Sequence, residues 1–112
     1  MSNSVCVVRG LADIFHQPRE VEVIDLEDDA CAYLEHWTDG LLTRAIRPVG
    51  LDSIFNGVQV GKLLEELRSG ARHAESADVA ANIAAVASFI EDHLPGPSIE
   101  NEYNAYVVFL AD

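Results

Sequence analysis

Histidines, cysteines and a run of carboxylates are the residues through which this chain could do chemistry. His16, His36, His73 and His93 are too far apart in sequence to form a ligand pair at the close turn or helical spacing of a zinc site. His36 is the most suggestive, because it stands between Glu35 and Trp37, and a histidine beside a carboxylate can titrate near neutrality. Neighbours in a helix point about 100° apart, however, so these three side chains do not converge and His36 reads as a surface residue. Cys6 lies in the apolar run Val5–Val8 and Cys31 between Ala30 and Ala32. Both read as buried reduced thiols, which are poor nucleophiles, with a Cys6–Cys31 disulfide as the alternative.

The carboxylates are more informative. Glu20–Asp39 holds eight acids and no base. Asp25, Glu27 and Asp29 alternate as oxygen ligands might, but no glycine or closing glutamate stands at the calcium-loop offsets. The tract reads instead as a solvated helix start that can also serve as a docking surface for a basic partner. Gly57–Leu63 has glycines and a lysine ahead of a helix, yet only three residues separate the glycines and Leu63 follows Lys62. A phosphate loop needs four residues there and a Ser or Thr after the lysine. No nucleophile sits in a strained-elbow motif, and no acid–base–nucleophile set can be nominated. The chain is therefore expected to be no enzyme and to use neither cofactor nor metal.

The candidate partner-binding residues are Glu27, Asp28, Asp29, Glu35 and Asp39 of the acidic tract, with Trp37 as an aromatic anchor. Glu100 and Glu102, in the polar stretch before the last apolar run, are expected to rim the same surface. Tyr33 and Phe55 are expected to fill the core.

Charge narrows the partner. The 112 residues carry a formal net charge of −12. Residues 1–39 have nine acids and two bases, residues 40–72 three acids and five bases, and residues 73–112 seven acids and no Lys or Arg. Acidic ends thus flank a mildly basic middle. Such a surface repels phosphate backbones and anionic membranes, whereas a basic protein is attracted and steered. No apolar run approaches the roughly 18 residues of a membrane span, and no signal-like leader is evident, so the expected location is the cytoplasm.

These residues need elements to hold them. Ser4–Arg9 is β-branched and apolar on both faces, which predicts a buried strand extending toward Phe15. Gln17-Pro18-Arg19 predicts a turn and Glu20–Leu26 a second strand, pairing with the first as an antiparallel hairpin. Acids at Asp28 and Asp29 suit a helix start, and Ala30, Tyr33, Leu34 and Trp37 recur at helical spacing, so a helix is predicted over about 28–38. Whether Leu41–Arg47 continues it stays open. Leu51–Gly57 reads either as one helical turn or as a loop whose Ile54 and Phe55 plug the core. Val60, Leu63, Leu64 and Leu67 predict a helix over 60–68, ending near Ser69-Gly70. Ser76 caps a third helix with the stripe Val79, Ile83, Val86 and Ile90, stopped by Pro95. Tyr103–Leu110, apolar on both faces, is predicted as an interior strand paired with Val5–Val8.

The expected fold is one compact α+β domain over 1–112. It has a small antiparallel sheet of about three strands (4–15, 20–26, 103–110) and about three helices on one face, in the order β-β-α-α-α-β. In size, acidity and element order, though not in any motif, the chain is similar to the small immunity proteins that neutralise bacterial toxins. That resemblance implies an inhibitor whose carboxylates enter the basic cleft of a nuclease or similar toxin. The alternatives are a structural or regulatory subunit, as a homodimer joined through Leu41-Leu42 and Ile54-Phe55, and a small enzyme or ligand binder.

Overall fold

The computed structural model describes residues 3–9, 22–37, 39–43, 46, 53–94 and 105–111. Strand β1 (Asn3–Arg9) runs antiparallel to the last strand, Ala105–Ala111, in a seven-residue register from Asn3↔Ala111 to Arg9↔Ala105. Both are apolar on both faces, and this demands a place inside the sheet where each face is covered. The sheet supplies it. Strand β2 (Ile24–Leu26) flanks β1, and strand β3 (Ser53–Asn56) flanks the last strand, β4, giving the order β2-β1-β4-β3 with every pair antiparallel.

Three helices lie among the described residues: α1 (Asp28–His36), α2 (Gly57–His73) and α3 (Ala77–His93). Alternation sends Val5, Leu26, Phe55, Val107 and Phe109 to one side of the sheet, where they meet Leu34 of α1, Leu63 and Leu67 of α2, and Ile83, Val86 and Ile90 of α3. Each fully buried aliphatic side chain here contributes roughly 1.5–3 kcal/mol of transfer free energy. Phe55 and Phe109 meet edge-to-face at 5.7 Å. On the other side Cys6, Val8 and Val108 form a smaller buried cluster, with Tyr106 and Leu110 packed against it.

The α+β class, the antiparallel pairing of the first and last strands, and the three helices agree with expectation. The order differs, being β-β-α-β-α-α-β with four strands among the described residues. The extra strand is Ser53–Asn56, where a helical turn or loop was expected. Four residues are too few for period-2 alternation to stand out, and β4 supplies the partner that makes them a strand. Phe55 does plug the core, as one expectation had it. The Asn56 side chain accepts from Gln59 N while the Gln59 side chain accepts from Asn56 N, a capping box that starts α2 three residues before Val60.

Helix α2 also runs past its expected end, through Ser69 and Gly70 to His73. Helix α1 stops two residues early, because Trp37 takes an extended conformation and donates its N–H to Leu34 O. Leu41–Thr43 form a turn and do not prolong it. Only Ile24–Leu26 of the expected 20–26 strand pairs among the described residues. The continuation of β1 beyond Arg9, the turn at Gln17–Arg19, and Pro95 lie outside the described residues.

Candidate functional site

The end of α1 and the turn between α2 and α3 carry two depressions, and Trp37 lines both. The indole is half-buried. Gly40 lets it pack closely, while a Cβ on Gly70 would lie against it at ordinary van der Waals distance. A Cβ on Gly40 would fall 2.7 Å from Trp37 Cε3 and 1.9 Å from Thr43 Oγ1, and a Cβ on Gly70 would fall 3.4 Å from Trp37 Cζ3. Tyr33, one turn earlier on α1, donates its hydroxyl to Gly70 O at 2.8 Å, which ties α1 to α2. Burial pushes the Tyr33 hydroxyl pKa up, so it stays a donor across the neutral range.

Trp37 lines two depressions. One is an apolar groove of about 400 Å³ walled by Tyr33, Trp37, Ala74 and Val79, with His73, Glu75 and Ser76 at its polar positions. His73 Nδ1 lies 2.8 Å from Ser69 O. A carbonyl oxygen only accepts, so the proton is on Nδ1 and Nε2 is left for another partner. The second is a polar cleft of about 160 Å³ lined by Trp37, Asp39, Lys62, Glu65, Glu66, Ser69 and Arg72.

Glu66 is the residue that holds this corner together. It is only 3% exposed, and its Oε1 accepts from Leu42 N at 2.8 Å and Thr43 N at 3.2 Å, with Thr43 Oγ1 at 3.5 Å. These bonds pin the turn after α1 onto α2 and so fix Trp37 and Asp39. Oε2 is buried without a hydrogen-bond partner.

The acidic start of α1 is built separately. Asn82 of α3 accepts from Glu27 N at 2.9 Å and donates to Asp25 O at 2.9 Å, clamping the junction between β2 and α1. Glu27, Asp28 and Asp29 are exposed there. Nine residues at 1.5 Å each put Trp37 roughly 13 Å further along from Asp28. Trp37 and Asp39 therefore come together, Glu35 stands exposed on α1 beside neither depression, and Glu27, Asp28 and Asp29 sit at the opposite end. Glu100 and Glu102 lie outside the described residues.

Sequence reasoning missed Glu66, Glu75 and Arg72; Tyr33, expected in the core, does pack against it and also walls the groove. Glu66 had a weak signal: it lies about 60° round the helix from Leu63, at the margin of the apolar stripe. Cys6 and Cys31 are both free and buried, and burial raises both thiol pKa values. They belong to different clusters, Cys6 to the outer one and Cys31 to the main core, where Asn3 Nδ2 donates to its sulfur at 3.2 Å. Among the described residues no group of three His, Cys, Asp or Glu side chains is placed to hold a metal, and no helix is long and apolar enough to cross a membrane.

No protein-family model, curated protein or solved structure matches the chain.

Proposed function

We propose that the protein is a non-catalytic binding module for a basic protein partner, most concretely a cytoplasmic inhibitor or immunity protein that masks a cationic toxin or nuclease. The observation that carries this reading is Trp37, half-buried between an apolar groove and a carboxylate-bearing cleft on a chain of net charge −12. An aromatic anchor in a partly desolvated pocket supplies affinity, and the surrounding acids supply steering and selectivity for positive charge. The partner is then expected to leave on salt, because exposed charges are screened over about 8–10 Å at physiological ionic strength. Affinity capture from the native host, washed at low and then high salt, checks this. A basic protein eluting with salt agrees; a neutral or acidic protein retained at high salt contradicts it.

A second reading, a homodimer, is favoured by Ile54 on β3 and Val58 in the first turn of α2, which are 45% and 67% exposed. Leu41 is exposed too, whereas Phe55 is buried and Leu42 half-buried, so those two are poorly placed to join subunits. Light scattering that gives a strict monomer removes this reading.

A further inference from the structure

Glu66 Oε2 is an acceptor withdrawn from water and given no donor. Among the described residues Glu66 is the only buried carboxylate, and it lines the polar cleft together with Trp37 and Asp39. Lys62, one turn earlier on α2, lines the same cleft but makes no ion pair with it. A buried charged acceptor left unsatisfied is costly, so such a group calls for a donor from elsewhere. The cleft around it has three carboxylates (Asp39, Glu65, Glu66) against two cations (Lys62, Arg72), with an indole as one wall.

We infer that this cleft receives an arginine side chain of the partner, its guanidinium donating to Glu66 Oε2 and its plane resting against Trp37. The inference rests on the binding-module reading above and names the partner's anchor. Guanidinium suits the site better than ammonium. It is planar, more weakly hydrated, stacks on aromatic rings and donates in its own plane, so one group can serve carboxylate and indole together. The source is a polypeptide, because Trp37 also walls the apolar groove, which can take residues flanking the arginine. Lys62 and Glu65 are exposed at the same cleft, so their side chains are free to reorient round an incoming guanidinium.

The test uses three capped pentapeptides, Ala-Leu-Xaa-Leu-Ala, with arginine, lysine or citrulline at the centre. Binding is read from the fluorescence of Trp37, the only tryptophan in the chain. Citrulline keeps the shape of arginine without its charge, and Glu66→Gln keeps one oxygen for Leu42 N and Thr43 N while replacing the other acceptor. Wild type is expected to bind the arginine peptide about tenfold or more tightly than the citrulline one, with lysine between. Glu66→Gln is expected to lose the same factor for arginine and to distinguish arginine from citrulline no longer. Circular dichroism checks that the variant is folded; if it is not, the citrulline comparison on wild type decides alone. Equal binding of arginine and citrulline by wild type, or unchanged arginine binding by folded Glu66→Gln, overturns the site. If the arginine peptide still binds in a salt-sensitive way in that case, the broader reading stands. If it does not bind at all, the arginine site falls, and the capture of a basic protein from the host decides the broader reading.

Discussion

At the scale of single residues, Glu66 and His93 show how this acidic chain uses the few contacts that order its charges. Removing the Glu66 carboxylate by Glu66→Ala leaves Leu42 N and Thr43 N without their acceptor and is expected to cost about 1–3 kcal/mol in urea denaturation. Glu66→Gln, which retains an oxygen, should cost clearly less; equal losses would show that the charge and not the acceptor holds the turn. His93 ends α3 with Nδ1 2.8 Å from Phe89 O, Nε2 3.0 Å from Glu22 Oε2, and its ring stacked on Phe89. The Phe89 carbonyl first, then the hydrogen bond and charge of Glu22 and the charge of Asp92, raise its pKa above 6.5. A raised histidine pKa stabilises the fold fully below the unfolded value, and that contribution fades as pH rises through the folded value. The pair is exposed, so the effect is small. His93→Gln should therefore lower the melting temperature more at about pH 5.5 than at about pH 8.5. The same loss at both would mean that His93 acts through packing alone.

At the scale of elements, α2 joins the sheet to the candidate site, and its sequence carries both a strength and a weakness. Asn56 and Gln59 cap it reciprocally, so Asn56→Ala is expected to cost about 1 kcal/mol in thermal or chemical unfolding. Gly61 sits exposed in the same helix with nothing within 4 Å of where a Cβ would be. Gly61→Ala should therefore stabilise by roughly 0.5–1 kcal/mol, whereas Gly40→Ala should destabilise through collision with Thr43 and Trp37. A stabilised Gly40→Ala would contradict the close packing of the indole. The helices were legible in the sequence because their stripes are long: Val60, Leu63 and Leu67, and Ile83, Val86 and Ile90, are all buried. Strand β3 was not, since Ser53–Asn56 is short and owes its conformation to β4, some fifty residues away in sequence. The cap at Asn56 was hidden behind the turn-like Asn56-Gly57 dipeptide. Glu66 was only faintly legible, at the margin of the apolar stripe: what its carboxylate accepts from is the turn after α1, and helical periodicity says nothing about that turn.

At the scale of the whole molecule, the two-sided strands β1 and β4 take the middle of the sheet, and the helices cover one face. That much follows from apolar residues on both faces at Val5–Val8 and Tyr106–Leu110, which only an interior position can satisfy. The charge map was legible as composition but not as a surface. The acids of residues 27–39 divide between two ends of α1, because helix length carries Asp28 away from Asp39, while Glu75 and Glu66 arrive from other elements. The proposed binding face is therefore the Trp37 corner and not the acidic helix start. A two-dimensional ¹⁵N NMR titration with the arginine-centred peptide tests this most directly, at low salt and again at about 0.5 M salt, where charge is screened within a few ångströms. Salt-sensitive shifts are expected, concentrated at residues 33–43 and 66–79 and at the Trp37 indole N–H. Shifts centred on Glu27–Asp29 or on the Cys6–Val108 face of the sheet, or shifts indifferent to salt, would contradict this assignment.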